Sequence, residues 1–136
     1  MSQKFRSTCP ISSALDVIGD KWSLLIIRDM MFLGKKTYTE FNKSSEKIST
    51  DILSNRLTKL SKLGIISKGK QEGNKKTNIY SLTQKGTELL PILIEIAQWS
   101  DNNLNDHLKD EAKPFVNKFK SNKEEFVKSM YTFLKN

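Results

Sequence analysis

The sequence predicts a mainly α-helical chain carrying one small β-hairpin, and three observations carry that reading. Four short helical patterns, punctuated by glycines and polar turns, fill the chain as far as Lys62. A lysine-rich pair of strand patterns follows from Ile65 to Leu82, and then a long apolar helix pattern and an amphipathic tail. With 136 residues there is room for one domain with a real core.

Each element has a local cause. After a short polar arm, Cys9-Pro10 precedes a helical pattern with Ala14, Leu15 and Ile18 on one face; Ser12 or Ser13 is the expected cap and Gly19 the stop. Trp22 to Leu33 is a second, strongly apolar helix, expected to be the most buried, and Gly34 ends it. Thr37-Tyr38-Thr39-Glu40 spells a capping box, so a third short helix containing Phe41 opens there. Residues 43–48 read as a polar turn.

Ser49 is the cap of the fourth helix. At 100° per residue, Leu53, Leu57 and Leu60 fall within about 60° of one another. Ile52 and Leu63 flank that stripe; Asp51, Ser54, Asn55, Thr58, Lys59 and Lys62 lie opposite, and Gly64 is the stop. Ile65 to Gln71 and Asn78 to Leu82 read as strands, with Gly73-Asn74 as the turn between them. Thr83 is the expected cap of a long helix bearing Leu89, Leu90, Ile92, Leu93, Ile96, Ala97 and Trp99, and Pro91 inside it predicts a kink or a restart. Phe115, Val116 and Phe119 form a shorter apolar cluster. Ser121-Asn122-Lys123-Glu124 is a second capping box, leading into Phe126, Val127, Met130, Phe133 and Leu134. The expected organisation is an arm over 1–8, a main domain over 9–108 and a helical extension over 109–136.

Charge is segregated along the chain, whose net value is +8. Between Lys35 and Tyr80 eleven Lys and Arg stand against four acids, whereas between Gly86 and Glu111 six acids stand against one lysine. One surface is therefore suited to a polyanion and another is not. No apolar run approaches the roughly 20 residues of a membrane span, and the start of the chain has no apolar stretch of the secretory kind. A single cysteine excludes an internal disulfide framework. A cytoplasmic protein is expected. Enzymatic readings find no support: His107 is the only histidine, no Cys/His cluster suits zinc, and no glycine-rich loop suits a nucleotide. Neither cofactor nor metal is expected.

A helix with an apolar back and short polar residues near its N-terminus is what the major groove of B-DNA admits. The fourth helix has both. Thr50, Ser54, Asn55 and Thr58 are the candidate base contacts, with Ser49 at the head of the same face; Asn is suited to adenine edges. Arg56 and Lys59 suit either guanine or phosphate. Lys70, Lys75 and Lys76 in the hairpin are candidates for backbone phosphates or a minor groove, and Lys35, Lys36 and Thr39 for a second contact. Any one of these lysines alone reads as a solvated surface charge; clustered on a helix and hairpin, they read as a DNA face.

The residues at this point carry a resemblance. Cys9-Pro10, Ile18-Gly19-Asp20-Lys21-Trp22, Leu24-Leu25-Ile26-Ile27-Arg28-Asp29, Phe41, the Ser49–Leu60 helix, Leu63-Gly64-Ile65-Ile66, Tyr80-Ser81-Leu82-Thr83 with Gly86, Leu89-Leu90-Pro91 and Trp99 follow in order. Together they resemble the HxlR-type helix-turn-helix regulators, a branch of the MarR-like winged-helix transcription factors, from Cys9 to His107. Two departures stand out: the hairpin tip is Gly73-Asn74-Lys75-Lys76 where that family often has prolines, and the tail after Asp110 exceeds its usual length.

The resemblance implies a winged helix-turn-helix that works as a homodimer on a palindromic operator in double-stranded DNA, and a repressor is expected. It also implies that Cys9 is a redox-sensing thiol in some members, modified by an oxidant, an electrophile or a small thiol. The residues themselves leave Cys9 equally readable as a small packing residue at a dimer interface. Two further alternatives stay open: a winged helix that binds an acidic protein partner, and a ligand-gated regulator without thiol chemistry. The helix from Thr83 to Leu104 and the first helix are the expected dimer surfaces.

Overall fold

A computed structural model describes residues 3–108 and 110–135. Met1 and Ser2 of the expected arm, Lys109 at the expected start of the extension, and Asn136 lie outside the described residues. The chain forms two compact units, Met1–Gly86 and Thr87–Asn136.

The first unit holds α1 (Pro10–Ile18), α2 (Ser23–Leu33), α3 (Tyr38–Asn42), α4 (Thr50–Lys62), and the antiparallel strands β1 (Ile66–Gln71) and β2 (Asn74–Leu82). The short α5 (Gln84–Thr87) runs across its end at Gly86. Neither Ser12 nor Ser13 caps α1. Cys9 occupies that position without a side-chain hydrogen bond, because Pro10 opens the helix and brings no N–H that needs an acceptor. Ahead of α2, the Asp20 carboxylate accepts from the backbone N–H groups of Trp22 and Ser23 at 3.0 and 2.9 Å. The Thr37–Glu40 capping box forms as the sequence predicts, and Ser49 accepts from Ile52 N at the head of α4.

The core of this unit comprises Ile26, Ile27, Met30 and Met31 of α2, Phe41 of α3, Leu53, Leu57 and Leu60 of α4, and Ile65, Ile66 and Tyr80 around the hairpin. Phe41 meets Tyr80 edge to face with ring centroids 6.2 Å apart. Tyr80 N also donates to Lys36 O at 2.8 Å, so the segment before α3 lies along the outer edge of β2. Gly86 is required by a close approach: a Cβ there would collide with the Ile65 carbonyl oxygen.

The second unit holds α6 (Leu90–Asn103), a single 3-10 turn (Asp110–Ala112), α7 (Lys113–Lys120) and α8 (Lys123–Lys135). The long helix expected from Thr83 is divided: Thr83 Oγ1 accepts from Gly86 N in α5, a turn follows, and the helix restarts at Leu90. Pro91 then sits in the first turn of α6, where its missing N–H costs no intrahelical bond. Phe119 is the centre of the tail, with ring centroids 5.6 Å from Phe115 and 5.9 Å from Phe126. Lys120 and Lys123 pair with Asp101 and Glu95 of α6 at 3.4 and 2.6 Å. The cap of α8 is Asn122 and not Ser121: its Oδ1 accepts from Glu125 N at 3.1 Å, and its amide donates to the Glu125 carboxylate. Two overlapping boxes are written in Ser121-Asn122-Lys123-Glu124-Glu125, and the asparagine, an equally good cap, is the one used.

Candidate nucleic-acid interface

The helix α4 presents two unlike sides. Leu53, Leu57 and Leu60 are fully enclosed, while Thr50, Asp51, Ser54, Asn55, Thr58 and Lys62 are exposed. Ser49 Oγ is engaged at 3.3 Å by Ile52 N, which makes its role that of a cap. Asp51, in the first turn, complements the positive end of the helix dipole. On the preceding helix α3, Thr39 is exposed, as is Lys36 just before it.

The hairpin differs from its expected form at the tip. Its two-residue turn is Glu72-Gly73, one place earlier than Gly73-Asn74, and Gly73, at the second turn position, has a positive φ of 80°, a conformation that favours glycine. Asn74 instead opens β2 opposite Gln71. From there to Asn78, which faces Lys70, the register slips, so Lys75, Lys76 and Thr77 bulge out of the ladder. Asn74 shapes this bulge: Oδ1 accepts from Lys76 N at 3.1 Å and Nδ2 donates to Thr77 Oγ1 at 2.9 Å. Lys75 and Lys76 are thereby exposed at the hairpin end, and Lys70 Nζ donates to Asn78 Oδ1 at 2.7 Å.

Three of the expected contact residues are drawn toward the protein. Lys35 Nζ lies 3.2 Å from Asp29 Oδ2, on a carboxylate that is 98% enclosed and also accepts from Ser44. Arg56 Nε donates to Asp20 Oδ2 at 2.9 Å, and its Nη1 donates to Asn55 Oδ1 at 2.6 Å. Lys59 Nζ donates to the Asp16 carbonyl at 3.3 Å. Residue types alone do not reveal the Asp29 and Asp20 carboxylates that hold Lys35 and Arg56, or the Asp16 carbonyl that holds Lys59. For Asp20 a signal existed, since an acid three residues ahead of Ser23 at a helix start is a capping pattern.

Two carboxylates in this region, Asp20 and Glu46, have strongly lowered pKa values. Partial burial pushes Asp20 up, but hydrogen bonds from the Ser23 hydroxyl, Arg56, and the Ser23 and Trp22 N–H groups outweigh it, leaving a pKa of about 2. Glu46, in the turn before α4, is lowered to about 2 first by the hydrogen bonds from Arg28, against partial burial. Arg28 forms a two-pronged bond with it, at 2.7 and 2.9 Å, and also contacts Asp29 at 2.7 Å. These ion pairs tie the α3–α4 turn to α2.

Thr50, Ser54, Asn55 and Thr58 thus share the exposed side of one helix, with Lys70, Lys75 and Lys76 on the hairpin that follows it. Cys9 is exposed at the head of α1, its N–H donating to Ser7 Oγ at 3.2 Å. Among the described residues no helix is long and apolar enough to cross a membrane.

A helix-turn-helix followed by a basic hairpin defines a winged-helix DNA-binding protein. The chain belongs to the HxlR-like helix-turn-helix family, which it matches over residues 17–108. It is 33% identical over 94 residues to the HTH-type transcriptional regulator YodB of Bacillus subtilis, covering 68% of this chain and 83% of that protein. The oxidised form of the redox regulator HypR superposes with a TM-score of 0.60 at 33% identity, covering 70% of this chain and 97% of HypR. The crystal structure of PA1607 gives a TM-score of 0.66 at 39% identity, covering 72% and 67% of the two chains. The protein is a DNA-binding transcriptional regulator.

Proposed function

We propose that two copies of this chain bind one palindromic operator and repress transcription from it in the cytoplasm, and that modification of Cys9 by an oxidant or electrophile releases them. The observation that carries this reading is the exposed polar side of α4 beside a hairpin ending in Lys75 and Lys76. In the proposed complex, Thr50, Ser54, Asn55 and Thr58 face base edges in the major groove. Lys36, Thr39, Lys70, Lys75 and Lys76 meet phosphates, the last three from the wing. Arg56 and Lys59 brace α4 against the Asp20 carboxylate and the Asp16 carbonyl, and Lys35 is held by Asp29 of α2.

One helix-turn-helix reads only a few base pairs, so a twofold dimer with half-sites a helical turn or a multiple apart is the form that achieves specificity. Exposed apolar side chains suit such a dimer: Ile92, Ile96 and Trp99 follow one face of α6, and Ile11 and Leu15 stand out on α1. Exposure of Cys9 favours a sensing thiol, as does kinship with HypR, a redox regulator with a known oxidised form, and with YodB, known in quinone-bound and diamide-treated forms. With one cysteine per chain, oxidation gives a disulfide between two copies or a mixed disulfide with a small thiol.

The test is footprinting on the DNA flanking the protein's own gene. Protection of an inverted repeat is expected. Weak, sequence-blind protection would instead favour a winged helix whose basic face meets an acidic protein.

A further inference from the structure

Arg56 and Asn55 are neighbours on α4, yet they do unlike things. The Arg56 guanidinium is gripped by Asp20, whose carboxylate accepts four bonds in all: Arg56 Nε, Trp22 N and Ser23 N on Oδ2, and the Ser23 hydroxyl on Oδ1. That makes Asp20 a fixed post at the start of α2. From this post the other side of the guanidinium reaches the exposed Asn55, Nη1 donating to Oδ1 at 2.6 Å. The Asn55 Nδ2 group bonds to none of the described residues.

We infer that Arg56 is a positioning residue for base reading, which holds the Asn55 amide with its carbonyl toward the guanidinium and its two N–H groups left for a base edge. This rests on the proposal that α4 is the reading helix. A freely turning asparagine matches adenine with two bonds, accepting from N6 and donating to N7. The guanidinium fixes which way this amide faces, because turning it over would set an NH2 against Nη1, donor to donor. One lone pair of the carbonyl is spent on Nη1, and the two N–H groups are held on the side away from it. Guanine shows two adjacent acceptors, O6 and N7, in the major groove and is the base this amide fits. Arg56 thereby contributes to sequence choice without touching DNA, and the Asp20–Arg56–Asn55 line sets which base edge is read.

The experiment uses the full chain and a pool of random-sequence duplexes. A consensus is selected with the unaltered protein, and each of its base pairs is then changed singly. Binding is compared for the unaltered protein, Asn55→Ala, Arg56→Lys and Asp20→Asn, with thermal unfolding recorded for each. The expected result is one G·C pair per half-site at which the unaltered protein discriminates by roughly 5- to 150-fold. At that same pair all three variants should discriminate by about twofold or less, while preferences elsewhere persist. Arg56→Lys is the decisive variant: it keeps the positive charge, so it preserves a phosphate contact, but it lacks the fork that joins Asp20 to Asn55. Should Arg56→Lys fail to fold, Asp20→Asn supplies the same readout with the guanidinium intact. Loss of the preference in Asn55→Ala alone, with Arg56→Lys and Asp20→Asn unchanged, overturns the inference and leaves the reading helix standing. Absence of any consensus for the unaltered protein overturns both.

Discussion

Leu57 shows how a single side chain serves the DNA face from behind. It lies at the centre of the enclosed stripe of α4, 2% exposed, between Leu53 and Leu60. Leu57→Ala should destabilise the protein by about 2–5 kcal/mol, since the lost transfer energy is joined by that of the cavity left behind; denaturant titration followed by circular dichroism measures it. Exposed residues should behave differently. Lys75→Ala and Lys76→Ala should leave stability unchanged and weaken binding evenly across sequences, each lowering the slope of log affinity against log salt by about 1 for every phosphate contact removed. Unequal effects on different sequences would place these lysines on bases. At Cys9 the change is chemical. Cys9→Ser should bind the operator normally but keep it when a quinone or diamide is added, as followed by electrophoretic mobility shift. Equal release of the serine variant would end the case for a thiol switch.

The turn between α3 and α4 is held by ion pairs as well as by the buried Ile48. Arg28 reaches from α2 to Glu46, and Asp29 gathers Lys35 and Ser44. Glu46 and Asp20 both have folded-state pKa values lowered to about 2 from ordinary values of 4.5 and 3.8. Their contribution is therefore complete above those ordinary values and drains away as the pH falls toward 2. Thermal unfolding midpoints should stay level from pH 7 to about 5 and then fall, and Glu46→Gln should lose part of that acid dependence. A variant with the unaltered acid profile would mean that this pair contributes nothing. Elements of this kind divide sharply in how far they were legible. The Thr37 and Ser49 caps and the Leu53–Leu57–Leu60 stripe could be read directly, because each answers a demand made within a few residues. The hairpin tip could not, since Glu72-Gly73 and Gly73-Asn74 both place a glycine in the turn. The choice between them is made by the ladder, and Asn74 is used to brace the bulge. Nor could the direction of Lys59 or Arg56 be read. Their partners stand 43 and 36 residues away, and a charge count treats a lysine facing DNA and a lysine facing a carbonyl alike.

For the whole molecule, the proposed dimer joins the two kinds of surface on the chain, basic and apolar. Ile92, Ile96 and Trp99 are 39%, 48% and 59% exposed along one face of α6, an apolar row that suits a partner surface. Sedimentation should give the mass of a dimer, and Ile96→Glu with Trp99→Glu should return a monomer that binds a half-site weakly. A dimer unaffected by both changes would move the interface elsewhere. A dimer making 6–10 phosphate contacts should lose roughly 10³- to 10⁵-fold in affinity between 50 and 200 mM salt. The central claim, that paired copies read a specific sequence through α4, is tested most directly by footprinting the DNA beside the gene with the unaltered protein and with Ser54→Ala/Asn55→Ala. The expected result is an inverted repeat protected by the first and lost with the second at equal protein and salt. Identical footprints from both proteins, or protection that follows no sequence, would contradict it.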